Sequence, residues 1–489
     1  MEDNKKGGLI MFDDMQSFIS ALEERGKIKK VNGAHWDLEI GTIHEIVSER
    51  LGPALLFDEV PGYPKGYRIA TNLLNFKLAQ RLALGVDENL TDMEVLRFWK
   101  ERMKNFKPVP PEEVNHGPIL ENMLTGDDVD LLKFPTPKWH QEDGGRYIGT
   151  GVITITKDPD EGWINSGTYR VMIHDKKTLS FYVSPGKHGR MMREKYWAKG
   201  EPCPVVICFG QDLMLYTLST ISLPWGVSEL DAAGYLRGKP IKVIKGKATG
   251  LPIPATAEIA VEGFAPPPSQ DTRIEGPFGE WTGYYASGRK TEPVIYVKNL
   301  YFRNNPIMFG QPPVKPPAFF WFPIPIHTAA TLWDRLEKAG ATGIKGVYVH
   351  GPGNRVIGVI SLKQSYNGHA RQVATLAAAF LHGGSCTGRY IITVDDDIDP
   401  SNLDEVLWAV CTRVSPERAI TIVPGFLTSS LDPTLSPEER QRKELTTAKV
   451  FIDACWPYHW KDAIPPVIRS SQELRKQILT KWKHLFQGI

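Results

Sequence analysis

Asn165, His188 and Glu229 offer an amide oxygen, an imidazole nitrogen and a carboxylate oxygen, a mixed donor set suited to a divalent ion such as Mn²⁺ or Mg²⁺. They stand in three short segments: Trp163-Ile-Asn165-Ser-Gly167-Thr-Tyr-Arg170, Lys187-His188 and Leu223-Pro-Trp-Gly-Val-Ser-Glu229. Three protein ligands leave coordination positions open, which a metal needs if it is to grip a cofactor phosphate as well as a fold. The same residue types also fill ordinary cores and surfaces, so type and spacing alone leave a structural role standing.

A second constellation is Arg273-Ile-Glu275-Gly-Pro-Phe-Gly-Glu280-Trp-Thr-Gly283. Its two carboxylates flank a Gly-Pro-Phe-Gly turn, which lets the chain fold back and present both to one cavity; a regular strand would put them on opposite faces. A guanidinium between them would complete a charged triad. Arg170 is the natural candidate, because its planar fork can hold a substrate carboxylate while a glutamate orients its other edge. Crowding the two glutamates should push their proton affinities apart, leaving one ionised and one able to act as an acid. A solvent-exposed hairpin with ordinary surface acids is the competing reading of the same pattern.

Taken in order, Asn165-x-Gly-x-Tyr-Arg170, His188, Pro224-x-Gly-x-x-Glu229 and Glu275-Gly-Pro-Phe-Gly-Glu280 resemble the UbiD-type family of prenylated-flavin-dependent (de)carboxylases. The likeness spans nearly the whole chain and includes Val394-Asp-Asp-Asp-Ile-Asp-Pro400. It implies an α+β fold in which a central split β-barrel binds prenylated FMN between an N-terminal and a C-terminal α/β domain, assembled as homodimers or homohexamers. It also implies that Asn165, His188 and Glu229 hold the Mn²⁺ that anchors the cofactor phosphate, and that Thr168, Tyr169, Arg170, Lys187 and His188 line the flavin. Trp163, Ser219, Thr220, Ser222 and Glu229 fall where the family often binds K⁺. A second cation is reasonable on charge, since a phosphate of about −2 together with Glu229 exceeds one divalent ion. Lys363 is a further phosphate contact or an exposed lysine at a strand end.

The implied reaction is reversible, non-oxidative decarboxylation of an unsaturated acid, aromatic or heteroaromatic, with an alkenyl acid of the cinnamate kind as the near alternative. Arg170 would hold the carboxylate, Glu280 would deliver the proton, and Glu275 would hold Arg170. A flavin prenyltransferase must supply the cofactor. Two other classes remain: a cofactor-carrying subunit of a multi-subunit aryl carboxylase, and a flavin oxidoreductase, although no Rossmann-type GxGxxG is evident.

Such residues need elements to hold them, and the chain reads in three parts, 1–117, 118–312 and 313–489. In the first, Asp13 and Asp14 precede an apolar helical stripe (Phe18, Ile19, Leu22) that Gly26 ends, and Thr91 with Glu94 makes a capping box. The second part is dense in short β-like runs separated by Gly, Pro and Asp, among them 151–156, 179–183, 204–208 and 241–244, with one helix near 229–236. In the third, helices at 332–339 and 370–380 alternate with strands at 346–349, 356–362 and 390–394, which predicts parallel pairing. Leu474, Ile478, Leu479, Trp482, Leu485 and Phe486 then form an apolar stripe that must be covered, by this chain or by a neighbouring subunit.

Composition excludes other classes. The 489 residues carry 58 Lys+Arg against 56 Asp+Glu, a net +2, which excludes a strongly basic nucleic-acid binder. With 42% hydrophobic and 23% charged residues, wholesale disorder is excluded as well. Cys203, Cys208, Cys386, Cys411 and Cys455 form no CxxC, so a reducing cytoplasm is expected, with neither a disulfide framework nor a thiolate zinc site. No signal-like segment opens the chain, and the run from Ala318 to Ile326 is too short to span a bilayer. The acidic run Asp395, Asp396, Asp397 and Asp399 is expected to cap a turn or helix, and His327 to sit in a core. Gly351-Pro-Gly and Gly383-Gly read as turns.

Overall fold

A computed structural model describes residues 11–286, 288–317, 324–351, 355–381, 384, 386–460 and 463–486. The fold mixes α and β throughout. The first helix, Met15–Glu24, begins where the Asp14 carboxylate accepts the Ser17 N–H at 2.8 Å, and Gly26 follows its end at φ +63°. The capping box forms as expected: Thr91 accepts the Glu94 N–H at 3.3 Å and Glu94 accepts the Thr91 N–H at 2.8 Å, opening helix Asp92–Lys104. Thr91→Ala should therefore cost about 1 kcal/mol, read as a lower chemical-denaturation midpoint.

Three larger sheets organise the chain. A four-stranded sheet runs Ile28–Asn32, Ala54–Asp58, Arg68–Thr71, Ile307–Gly310; the last strand comes from far along the chain and stitches the N-terminal segment to the centre. The central sheet has the order Thr178–Ser180, Lys290–Phe302, Ile259–Ala265, Cys203–Cys208, Ile153–Lys157, Ile164–Gly167, with Thr272–Glu275 and Asn122–Thr125 also paired to Lys290–Phe302. Every pairing in it is antiparallel, as the density of short strands leads one to expect. Among the described residues its hydrogen-bonded order has two ends and does not return on itself.

The C-terminal sheet runs Ile344–His350, Ile357–Leu362, Tyr390–Asp395, Thr446–Ala454, Ile420–Leu427. Its three inner strands are parallel, with helix His369–Phe380 in the crossover between the first two of them. Both edge strands run antiparallel, so the parallel expectation holds only for the interior. Helix Ile324–Lys338 starts well before the expected Leu332, because Pro325 falls in its first turn, where no backbone donor is needed. The aromatic run Phe319–Phe322, Pro352 and Gly383 lie outside the described residues.

One continuous core joins Phe18, Trp99, Leu215, Trp333 and Val347, and a second fills the space between the first sheet and the central one around Phe57, Trp139, Tyr147 and Val261. All five cysteines are free. No described helix is long and apolar enough to cross a membrane. On helix Gln472–Lys481 and the turn after it, the six apolar stripe residues are 40–55% exposed, so nothing described in this chain covers them.

Candidate functional site

Arg170 lies between two strand pairings that fix its backbone. Strand Ile164–Gly167 pairs with Ile153–Lys157, placing Asn165 opposite Thr156; Val171–Met172 then pairs with Tyr147–Gly149. Glu275 closes strand Thr272–Glu275, and the chain turns at Gly276, whose φ of +87° favours glycine. The turn packs so tightly on Gly144 that a Cβ there would stand 1.9 Å from the Gly276 carbonyl oxygen, while the Gly144 N–H donates to Pro277 O at 2.8 Å.

The fold-back brings both carboxylates onto one guanidinium. Arg170 Nε and Nη2 each donate to Glu275 at 2.8 Å, and Nη1 donates to Glu280 Oε1 at 2.6 Å. Tyr147 OH donates to Glu275 Oε1 at 2.8 Å, and the Tyr182 ring centroid lies 4.1 Å from the guanidinium carbon. Glu275 is wholly buried. Burial opposes the Arg170 charge, but the Glu275 carboxylate outweighs it, so Arg170 holds its proton more tightly than usual. Tyr147, buried and facing the same carboxylate, is pushed far up and stays a donor. The three bonds leave two of the five Arg170 N–H groups for another acceptor.

The second cluster forms at two helix N-termini that pack on strand Ile164–Gly167. His188 is the first residue of helix His188–Ala198; Glu229 is the first of Glu229–Arg237, where Ser228 caps the start and Gly238 ends it at φ +71°. Glu229 Oε2 accepts the Ser166 N–H at 2.7 Å. The His188 ring meets Trp163 and Trp225 edge-on, at 5.5 and 5.2 Å between centroids. Among the described residues Thr168 Oγ1 and Trp163 Nε1 are buried without a hydrogen-bond partner, while the Asn165 amide stands beside the Tyr169 hydroxyl. Burial raises Glu229 to about 8 and lowers His188, which also faces Lys187. Tyr169, pushed up to about 12 by burial, accepts the Gly189 N–H at 3.3 Å.

Lys187 immediately precedes the His188 helix without capping it, and its Nζ lies 3.4 Å from Ser222 Oγ. Its side chain is exposed, and desolvation by the surrounding protein together with the charge of Arg355 brings it down to about 8. Ser219 meets Ser166 hydroxyl to hydroxyl at 2.8 Å and accepts the Thr168 N–H through its carbonyl at 3.1 Å. Thr220 ends helix Leu213–Ser219 and spends its hydroxyl proton on Thr217 O. Among the described residues no three His, Cys, Asp or Glu side chains cluster, so a metal here would depend on Asn165 as its third ligand.

Lys363 is exposed just after strand Ile357–Leu362, its N–H donating to Gly343 O. His327 is half-buried and packs edge-on to the core residue Trp99, where desolvation drops it to about 4. The acidic run is structural: Asp395 accepts the Trp456 N–H, Asp397 pairs with Arg413, and Asp399 accepts from Ser401. Tyr147 and Tyr182 were not legible as site residues; only their places beside Arg170 in the folded sheet identify them.

The chain matches all three domains of 3-octaprenyl-4-hydroxybenzoate carboxy-lyase: the N-terminal domain over residues 19–101, the Rift-related domain over 112–316 and the C-terminal domain over 324–454. It is 30% identical to a phenolic acid decarboxylase of Streptomyces sp. (strain D7), covering 92% of this chain and 93% of that one. It is 29% identical to a pyrrole-2-carboxylic acid decarboxylase of Pseudomonas aeruginosa, covering 96% and 97%. Among solved structures, the UbiD-class enzyme HmfF from Pelotomaculum thermopropionicum in complex with FMN superposes with a TM-score of 0.82 at 26% identity, over 96% of this chain and 99% of that one. An evolved dimeric form of the same enzyme in complex with prFMN gives 0.79 at 26% identity, over 96% and 100%. With every domain matched in order around a paired-glutamate arginine, the chain belongs to the UbiD family of carboxy-lyases.

Proposed function

We propose that this chain catalyses the reversible, non-oxidative decarboxylation of an aromatic or heteroaromatic carboxylic acid, using prenylated FMN bound in a split barrel built from the central sheet. The observation that carries this reading is Arg170, held on two sides by Glu275 and Glu280 with two N–H groups left for a substrate carboxylate. The names of its relatives, phenolic acid and pyrrole-2-carboxylic acid decarboxylases, support the substrate class.

The residues fit the cofactor. The N-termini of two helices that both pack on strand Ile164–Gly167, with Lys187 beside one of them, favour a phosphate. Asn165, His188 and Glu229 combine a buried carboxylate, a buried amide and an imidazole, a donor set suited to Mn²⁺. Oxygens of Trp163, Ser219, Thr220, Ser222 and Glu229 would hold K⁺, and Thr168, Tyr169 and Lys187 would line the flavin, with Lys363 a further phosphate contact. When bound, the prenylated flavin supplies the electron sink that an aryl carbanion lacks.

Arg170 orients the departing carboxylate, Glu275 and Tyr147 keep the guanidinium in place, the Tyr182 face shields it from water, and Glu280 protonates the carbon that loses CO₂. The domains divide at 117/118 and 312/313. A second copy of the chain covers the C-terminal apolar stripe in a homodimer or homohexamer, and the free cysteines suit the cytoplasm.

Mass spectrometry of the small molecules released after co-expression with a flavin prenyltransferase tests this, beside His188→Ala. Prenylated FMN should stay with the parent and be lost from the variant, and the loaded parent should decarboxylate members of a panel of aryl and alkenyl acids. A folded, Mn²⁺-supplied parent that retains no prenylated FMN would overturn the reading.

A further inference from the structure

The segment from Glu275 to Tyr285, which carries Glu280, is fastened at four places. Three fastenings belong to the central part of the chain: Arg170 on both glutamates, the Gly144 N–H on Pro277 O, and Asp143 Oδ1 accepting Tyr285 OH at 2.9 Å. The fourth comes from the C-terminal sheet. Trp281, the neighbour of Glu280, is 8% exposed and buries its ring against Cys386 and Val356 in a small apolar cluster separate from the main cores. The Arg355 guanidinium carbon stands 4.9 Å from the Trp281 ring centroid.

Those contacts are rigidly mounted. Arg355 and Val356 lead directly into strand Ile357–Leu362, and their carbonyls accept the Gly388 and Tyr390 N–H groups at 2.8 and 3.2 Å. On the other side, Trp281 lies inside a tight turn, in which Gly283 N–H donates to Glu280 O at 2.9 Å and Glu280 N–H donates to Tyr284 O at 3.0 Å. A shift of the indole therefore moves the Glu280 backbone with it. Misplacing a reacting group by about 1 Å can cost on the order of a hundredfold in rate.

We infer that Trp281 and Arg355 are positioning residues for Glu280, and that their contact aims its carboxyl at the substrate only while the C-terminal sheet is seated on the central part. The catalytic half of this rests on the reading of Glu280 as proton donor; the fastening itself does not. An Arg at 355 suits the task because a guanidinium packs on an aromatic ring and keeps its charge even where burial lowers its proton affinity. Its charge also reaches Lys187, so a direct contact with a bound anion is the competing role.

Intact protein co-expressed with a flavin prenyltransferase should be compared as parent, Arg355→Met, Arg355→Lys, Trp281→Leu and the Trp281→Leu/Arg355→Met double variant. Hydrogen exchange of peptides covering 279–286 should be several-fold faster in Arg355→Met and Trp281→Leu, and near parental in Arg355→Lys. On an acid the parent turns over, kcat should fall about tenfold in either loosened variant with KM nearly unchanged, the double variant should be no worse than the singles, and Arg355→Lys should recover most of the rate. Unchanged exchange in Arg355→Met and Trp281→Leu would overturn the inference. So would a loss of bound flavin in Arg355→Met with turnover per bound flavin intact, which makes Arg355 an anion contact. Should Arg355→Met fail to fold, Trp281→Leu decides both readouts. If the parent turns over no acid, the decarboxylase reading falls while the exchange measurement still decides the fastening.

Discussion

Glu280→Gln is expected to lower decarboxylation by about 10²–10⁴-fold while leaving prenylated FMN bound, the range that a positioned proton donor supplies. The amide keeps the shape of the side chain and can still accept from Arg170 Nη1, so the guanidinium stays in place and the cofactor cluster around Asn165 and Glu229 is untouched. What is lost is the exchangeable carboxyl proton. Because the same group must remove that proton in the reverse direction, exchange of solvent deuterium into the product at the vacated carbon should collapse together with the forward rate. Substantial residual exchange in the cofactor-loaded variant would assign the proton to another group. Glu280→Asp, which keeps the acid and shortens the reach, should fall between parent and amide.

How much of this was readable in the sequence depends on how local the cause is. The capping box at Thr91 and the helix end at Gly26 follow from neighbours within a few residues and fold as expected, as do most strand runs of the central part, although the run at 179–183 stops at Ser180 and the one at 241–244 joins a separate small sheet. The pairing of Glu275 and Glu280 was readable because a Gly-Pro-Phe-Gly turn folds back on itself whatever surrounds it. Tyr147, whose hydroxyl reaches Glu275 from 128 residues away in sequence, leaves no such local trace, since its place is set by cross-strand pairing with Met172. The antiparallel edges of the C-terminal sheet were missed for a related reason: periodicity reports which residues are buried, and partner direction only through the connections between strands. Trp281 and Arg355 stand at the far end of that scale, meeting only because two sheets from different parts of the chain come together.

Glu275→Leu should destabilise the protein by about 3–5 kcal/mol, the cost of breaking a buried ion pair by removing one partner. Glu275 is wholly buried and accepts three hydrogen bonds, two from Arg170 and one from Tyr147. Without it, a guanidinium only 9% exposed keeps a single carboxylate, Glu280, and the Tyr147 hydroxyl loses its acceptor. The Arg170→Met/Glu275→Leu double variant removes both buried charges and fills much of the space, so it should regain about 2 kcal/mol or more of the loss. Chemical denaturation of the cofactor-free proteins measures this directly. Catalysis should not follow: the double variant should be dead, because it has no group left to hold the substrate carboxylate. Stability restored without activity separates what the pair does for the fold from what it does for the reaction. Strictly additive losses in stability would mean that Arg170 and Glu275 do not support each other, despite two 2.8 Å bonds between them.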